Sequence, residues 1–129
     1  MRVLLDTHVF LWWASERGVR VSDRARSLLS DGSTRVAFSI ASAWEIAIKV
    51  GGGRMELPDA PERYLPDRIR RHALEVLPIE LSHAFRVGQL PPIHRDPFDR
   101  MLVAQAQVEG LPILTADPAI SRYEVETIW

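Results

Sequence analysis

Short apolar runs, each too short to form a helix, alternate along this chain with segments of helical period, and that alternation restricts the fold more than any other feature. The first run, Val3-Leu4-Leu5, is apolar without a break and ends at Asp6, as a strand buried on both faces of a parallel sheet requires. A helical pattern follows through Phe10-Leu11-Trp12-Trp13. Ser22 caps a second helix over Asp23 to Leu29, Asp31-Gly32 turns the chain, and Val36-Ala37-Phe38 is a second strand. Ser39 or Ser42 starts an apolar helix that ends before Gly51-Gly52-Gly53. The triple glycine reads as a stop rather than a phosphate loop, because no strand precedes it and no Lys-Ser/Thr pair follows. An amphipathic helix through Tyr64, Leu65 and Ile69 closes on Arg70-Arg71-His72, cations that suit its carboxyl end. Glu75 to Ile79 reads as a third strand, Ser82 to Gln89 as a short helix, and Leu90-Pro91-Pro92 as a rigid connection. Pro97 opens a long helix through Met101, Leu102, Ala104 and Val108 that Gly110 stops. Pro112-Ile113-Leu114 is the next strand, Asp117-Pro118 begins another short helix, and Val125 to Ile128 adds an edge strand. The expected class is α/β, a short parallel sheet flanked by helices on both faces.

The chain has 129 residues, 47% of them hydrophobic, and a chain of that size buries about two-thirds of its unfolded surface. Residues 1–129 are therefore expected to form a single domain. The absence of cysteine excludes disulfides, thiolate metal sites and cysteine nucleophiles. No apolar run approaches the roughly 18 residues of a membrane span, and the opening residues lack a signal peptide's cleavage site, so a soluble cytoplasmic protein with no membrane partner is expected. A net charge of −1 argues against a surface that coats phosphate generally. Fifteen of the sixteen basic residues are arginine, Lys49 being the exception; arginine suits bidentate contacts to phosphate or carboxylate, although a compositional bias of the genome is the better account of the count.

The acids carry the chemistry. Asp6 and Asp117 each follow a strand and precede a helix, and Asp96 and Asp99 lie at the mouth of the long helix. In an open parallel sheet these turns share one edge, where ligands bind at a change in strand order. Each also has a plain structural reading: an aspartate before a helix is a favoured cap, and one in the first turn is favoured by the helix dipole. Glu45 sits among Ala41, Ala43, Trp44, Ile46, Ala47 and Ile48, on a helix apolar almost all round, so it is expected to be buried. A lone buried carboxylate is costly; pairing with Lys49, a capping box with Ser42, or a cation would each resolve it. Four carboxylates at one site repel unless a divalent ion neutralises them, and an all-oxygen set favours Mg2+ or Mn2+ over zinc.

Four segments, in order, resemble those of the PIN-domain ribonucleases, specifically the VapC-type toxins of toxin-antitoxin pairs: Leu4-Leu5-Asp6-Thr7-His8; Ser39-Ile40 with Ser42-Ala43-Trp44-Glu45-Ile46; His94-Arg95-Asp96-Pro97-Phe98-Asp99-Arg100; and Leu114-Thr115-Ala116-Asp117. The resemblance implies a PIN-like fold and places Asp6, Glu45, Asp99 and Asp117 at the family's catalytic and metal positions, with Asp96 as helix cap or outer partner. Thr7 and Thr115 resemble hydroxyls that orient a water or phosphate at the ion, or are ordinary turn residues. The resemblance further implies an endoribonuclease that uses Mg2+ or Mn2+, cleaves RNA by in-line attack of water to leave a 5′-phosphate and a 3′-hydroxyl, dimerises, and is inhibited by a cognate VapB-like antitoxin. The alternative is a catalytically silent PIN module that binds antitoxin or RNA.

His8, His94, Arg95 and Arg100 lie beside the acids as candidate contacts to RNA phosphates, or as structural residues, and His72 and His83 read as surface histidines. Trp12 and Trp13, about 100° apart on a helix, cannot face one core point together, so one is a candidate for a partner surface. A haloacid-dehalogenase-like phosphatase is excluded because His8 stands where its second aspartate belongs. The longer acidic set and DNA-binding helices of a 5′-nuclease are missing.

Overall fold

The structure, a computed structural model, describes residues 1–15 and 20–129. The strands are β1 (Arg2–Leu5), β2 (Arg35–Ser39), β3 (Glu75–Leu77), β4 (Ile113–Leu114) and β5 (Thr127–Ile128). The helices are α1 (Thr7–Ala14), α2 (Asp23–Ser30), α3 (Ile40–Gly51), α4 (Pro61–Arg71), α5 (Leu81–Gln89) and α6 (Pro97–Glu109). All strand pairs are parallel and the sheet order is β3-β2-β1-β4-β5. The chain thus builds outward from β1 in one direction and later crosses to its other side, which makes the β1/β4 junction the switch point of the sheet.

The unbroken apolar strands cover two cores because side chains alternate between faces. Val3 and Leu5 of β1, with Val36 and Phe38 of β2, pack against Val9 and Phe10 of α1, Ala25 of α2, and Tyr64 and Leu65 of α4. Leu4 and Ala37 face the other way, against Leu102, Val103 and Ala106 of α6. Helix α3 reaches both layers, through Ile46 on one side and Ala41 on the other. Helices therefore cover both faces.

Local chemistry sets the element ends. Ser39, not Ser42, caps α3: its hydroxyl accepts from the Ala41 amide at 3.0 Å and donates to Gln105 Oε1. Gln105 Nε2 donates onward to the Pro78 carbonyl at 3.1 Å, so one buried amide joins β2, α6 and the segment after β3. Gly110 ends α6 at φ 68°, a left-handed conformation that glycine adopts without a Cβ clash. The expected third strand stops at Leu77 rather than Ile79, and Glu80 caps α5 in a reciprocal box with His83. The turn after Asp117 tightens into a 3-10 segment only at Ile120–Arg122. Among the described residues no helix is long and apolar enough to cross a membrane.

Candidate active site

The carboxyl ends of the strands gather the acids. Strand β1 runs straight into Asp6, whose amide donates to the Leu114 carbonyl at 3.1 Å across the switch point. Asp6 occupies the cap position of α1, yet its carboxylate makes no capping bond. Instead Asp6 Oδ2 accepts from the Thr115 hydroxyl at 2.7 Å, and that hydroxyl accepts from the Asp117 amide at 3.0 Å. The proton of the Thr115 hydroxyl is committed to Asp6, so this threonine fixes a carboxylate rather than addressing a water or phosphate as a donor. Thr7 likewise faces inward, its Oγ1 2.7 Å from Ser42 Oγ, which ties α1 to α3.

Asp96 takes the cap role: its Oδ1 accepts from the amides of Phe98 at 2.8 Å and Asp99 at 3.3 Å. That cap holds Asp99, buried, in the first turn of α6. Asp117 Oδ1 accepts from the Ala119 amide at 2.8 Å, so this acid serves its turn and still presents Oδ2 to the cleft. Glu45, 1% exposed, is met by Lys49 one helical turn on, with Nζ 2.5 Å from Oε2. Of the open solutions for Glu45, the Lys49 pair is present and the Ser42 capping box is not.

The electrostatics bind these acids into one site. Burial first, then the negative charges of Asp6, Asp96 and Glu45, push the Asp99 carboxyl up to about 7, against the opposing pull of His94. Burial also raises Asp6; the Thr115 hydroxyl opposes it, while the charge of Asp117 adds to it. The hydrogen bond to Glu45 raises Lys49, and Asp96 and Asp99 add to that direction. Asp6 Oδ1 and Glu45 Oε1 are buried with no hydrogen-bond partner. Unpartnered carboxylate oxygens in a mutually repelling acidic cleft are chemistry that suits a hard divalent cation.

The structure draws His94, a candidate beside the acids in sequence, into this cluster. His94 Nε2 lies 3.0 Å from Asp117 Oδ2 and 3.1 Å from Asp99 Oδ2, and ligand-type atoms of the three residues all fall within 4.8 Å of one another. Arg100 is engaged within the chain, as its structural reading has it: its guanidinium donates to the carbonyls of Val87, Leu90 and Pro91 and to the Tyr123 hydroxyl. His83, read from sequence as a surface residue, is 0% exposed, with Nδ1 accepting from the Glu80 amide at 2.9 Å. Trp12 packs edge-on to Trp129 and Trp13 lies 4.1 Å from the His72 ring, so both are engaged within the chain. The exposed tryptophan is Trp44, on α3 beside Glu45.

Fold and site together define an α/β domain with an acidic cleft at the switch point of a parallel sheet. The chain belongs to the PIN domain family, whose sequence model matches residues 3–126. It is similar to Ribonuclease VapC16 of Mycobacterium tuberculosis, with 34% identity over 61 residues, a match that takes in 47% of this chain and 43% of that relative. Its fold is similar to that of a chain in VapBC2 from Rickettsia felis, solved bound to a DNA fragment from its promoter (TM-score 0.72, 15% identity, 99% of this chain and 98% of that one). It is also similar to a chain in VapBC-5 of Mycobacterium tuberculosis, of the VapBC family of toxin-antitoxin systems (TM-score 0.60, 21% identity, 98% and 97%).

Proposed function

We propose that this protein is an endoribonuclease dependent on Mg2+ or Mn2+, acting as a VapC-type toxin held in check by a VapB-like antitoxin. The observation that carries the reading is the pair of buried, unpartnered oxygens, Asp6 Oδ1 and Glu45 Oε1, in a cleft where neighbouring acids raise Asp99 to about 7. Asp6, Asp99 and Asp117 are the residues to hold the ion. Glu45, with Lys49 on one oxygen, offers the other to complete the set or to orient the attacking water. A divalent cation bound there neutralises the acids and polarises water and phosphate oxygens. The chain's own part is positioning: Thr115 fixes the Asp6 carboxylate, and the Asp96 cap fixes the start of α6. In-line attack of water at phosphorus then breaks the bond to the 3′-oxygen, leaving a 5′-phosphate and a 3′-hydroxyl.

Similarity to a ribonuclease and to chains from two toxin-antitoxin complexes supports this reading. A surface for a partner is at hand: Ile40, Trp44 and Ile48 form an exposed stripe on α3, with Trp44 edge-on to Phe98 at 4.9 Å beside the acids. Leu81 and Phe85 on α5 are a second exposed pair, suited to a homodimer. The silent-module reading draws on Lys49, an internal cation already seated on one of the acids. Cleavage of a structured-RNA pool with Mn2+ or Mg2+, beside EDTA and an Asp99→Asn variant, separates the two. Cutting that needs both the ion and Asp99 is expected; no cutting together with no ion binding would favour the module.

A further inference from the structure

This inference rests on the proposed cation site and concerns His94. With Nε2 between Asp99 Oδ2 and Asp117 Oδ2, the ring stands where a nitrogen ligand would stand. The other ring nitrogen argues against that role. Nδ1 accepts a hydrogen bond from the Asp96 backbone amide at 3.1 Å. An amide N–H only donates, so Nδ1 carries the lone pair and the proton of the neutral ring sits on Nε2. Nε2–H is then a donor to Asp117 Oδ2 at 3.0 Å, with Asp99 Oδ2 standing 3.1 Å from the same nitrogen, and it has no lone pair for a cation. Histidine ligands show the reverse arrangement, in which the nitrogen remote from the metal donates its N–H to a carbonyl or carboxylate. For His94 to ligate through Nε2, the proton would move to Nδ1 and face the Asp96 amide, donor against donor. The surrounding contacts oppose that change: the His94 amide is held by the Tyr123 hydroxyl at 2.8 Å, and Asp96 is fixed as the cap of α6.

We infer that His94 is a positioning residue, an N–H clip that holds Asp99 and Asp117 together against their mutual repulsion and leaves the cation an all-oxygen donor set. Such a set suits Mg2+ or Mn2+, whereas a histidine ligand would shift the preference toward softer ions.

Long-range 1H–15N correlation spectra of the full chain, labelled at histidine, report which ring nitrogen carries the proton. His94 is expected to be protonated at Nε2 without added metal and to stay so at saturating Mg2+. Calorimetry with Mg2+ gives the second readout. His94→Ala is expected to weaken binding about 10- to 100-fold, as loss of an outer partner does, and His94→Gln, which keeps an N–H donor, to recover most of it. A proton on Nδ1 in the Mg2+ form overturns the role, and so does a His94→Ala variant that binds Mg2+ as tightly as the wild type. Wild-type protein that binds no Mg2+ overturns the cation site itself, which separates failure of that reading from failure of this one.

Discussion

At the amino ends of the strands, Arg2 and Arg35 sit opposite one another in register and both reach Glu75 at the start of β3. At the carboxyl ends, Asp6, Glu45, Asp99 and Asp117 converge with Lys49 as the ammonium among them. The two edges respond in opposite directions: the Arg2 hydrogen bond lowers Glu75 below its ordinary value, while burial and like charge raise Asp99 to about 7. At one edge two guanidiniums share a single carboxylate, which is thereby fully compensated. The other is left in deficit of positive charge, which costs stability and, on the proposed function, is what a bound cation would relieve.

The strongest test of this contrast is Asp99→Asn. It should lower RNA cleavage by at least about 100-fold, since a direct ligand matters more than the outer partners of a metal site. It should also stabilise the metal-free chain by about 1 kcal/mol at pH 8, where the wild type keeps the charge its site disfavours. Thermal melts with EDTA check the second effect, and a melting point that drops would break the comparison.

Acidity should act oppositely on the two edges. Asp99, raised in the folded state, favours folding most below 3.8 and loses that contribution as pH rises through about 7. Mg2+ must displace its proton, so affinity should climb by up to about tenfold per pH unit below 7 and level off above it, as calorimetry in buffers of different ionisation heat would show. Glu75, lowered by Arg2, contributes above 4.5 and loses that contribution as pH falls through its folded value.

Smaller effects sharpen the picture. Thr115→Val removes the donor to Asp6 Oδ2, and a loss of about 1–2 kcal/mol in urea melts with about tenfold weaker Mg2+ binding is expected. Glu75→Gln should cost less than about 1 kcal/mol and leave Mg2+ binding unchanged, as suits a partly exposed pair. An Mg2+ affinity altered by Glu75→Gln would show that the two edges are not independent.

Much of this architecture is legible in local sequence. Val3-Leu4-Leu5 ends at Asp6 because the strand ends there, and the cap and stop of α6 follow from Asp96-Pro97 and Gly110. The acids could be placed at one edge because a parallel sheet leaves its strand ends nowhere else to point. What local pattern does not carry is pairing across the fold. Ser39 outcompetes Ser42 as cap because Gln105, from another helix, takes the Ser39 proton while Thr7 occupies Ser42. His94 belongs to the site because the chain folds it against Asp117, 23 residues away, and His83 is buried because its ring closes the cap of α5. Trp44 is exposed although its neighbours are apolar, because Ile40, Trp44 and Ile48 share the exposed stripe of α3 while Ala41 and Ile46 are buried in the cores.

The Thr115 hydroxyl reaches back 109 residues to Asp6, and this has a consequence for the moment at which the protein acquires its chemistry. During translation β1 emerges first, while the strand that completes its far edge is still more than a hundred codons away. Until β4 docks, Asp6 lacks the partner that orients it, and Asp99 and Asp117 have no fixed place relative to it. On the proposed activity, the nascent chain is therefore incapable of cutting the messenger from which it is being read.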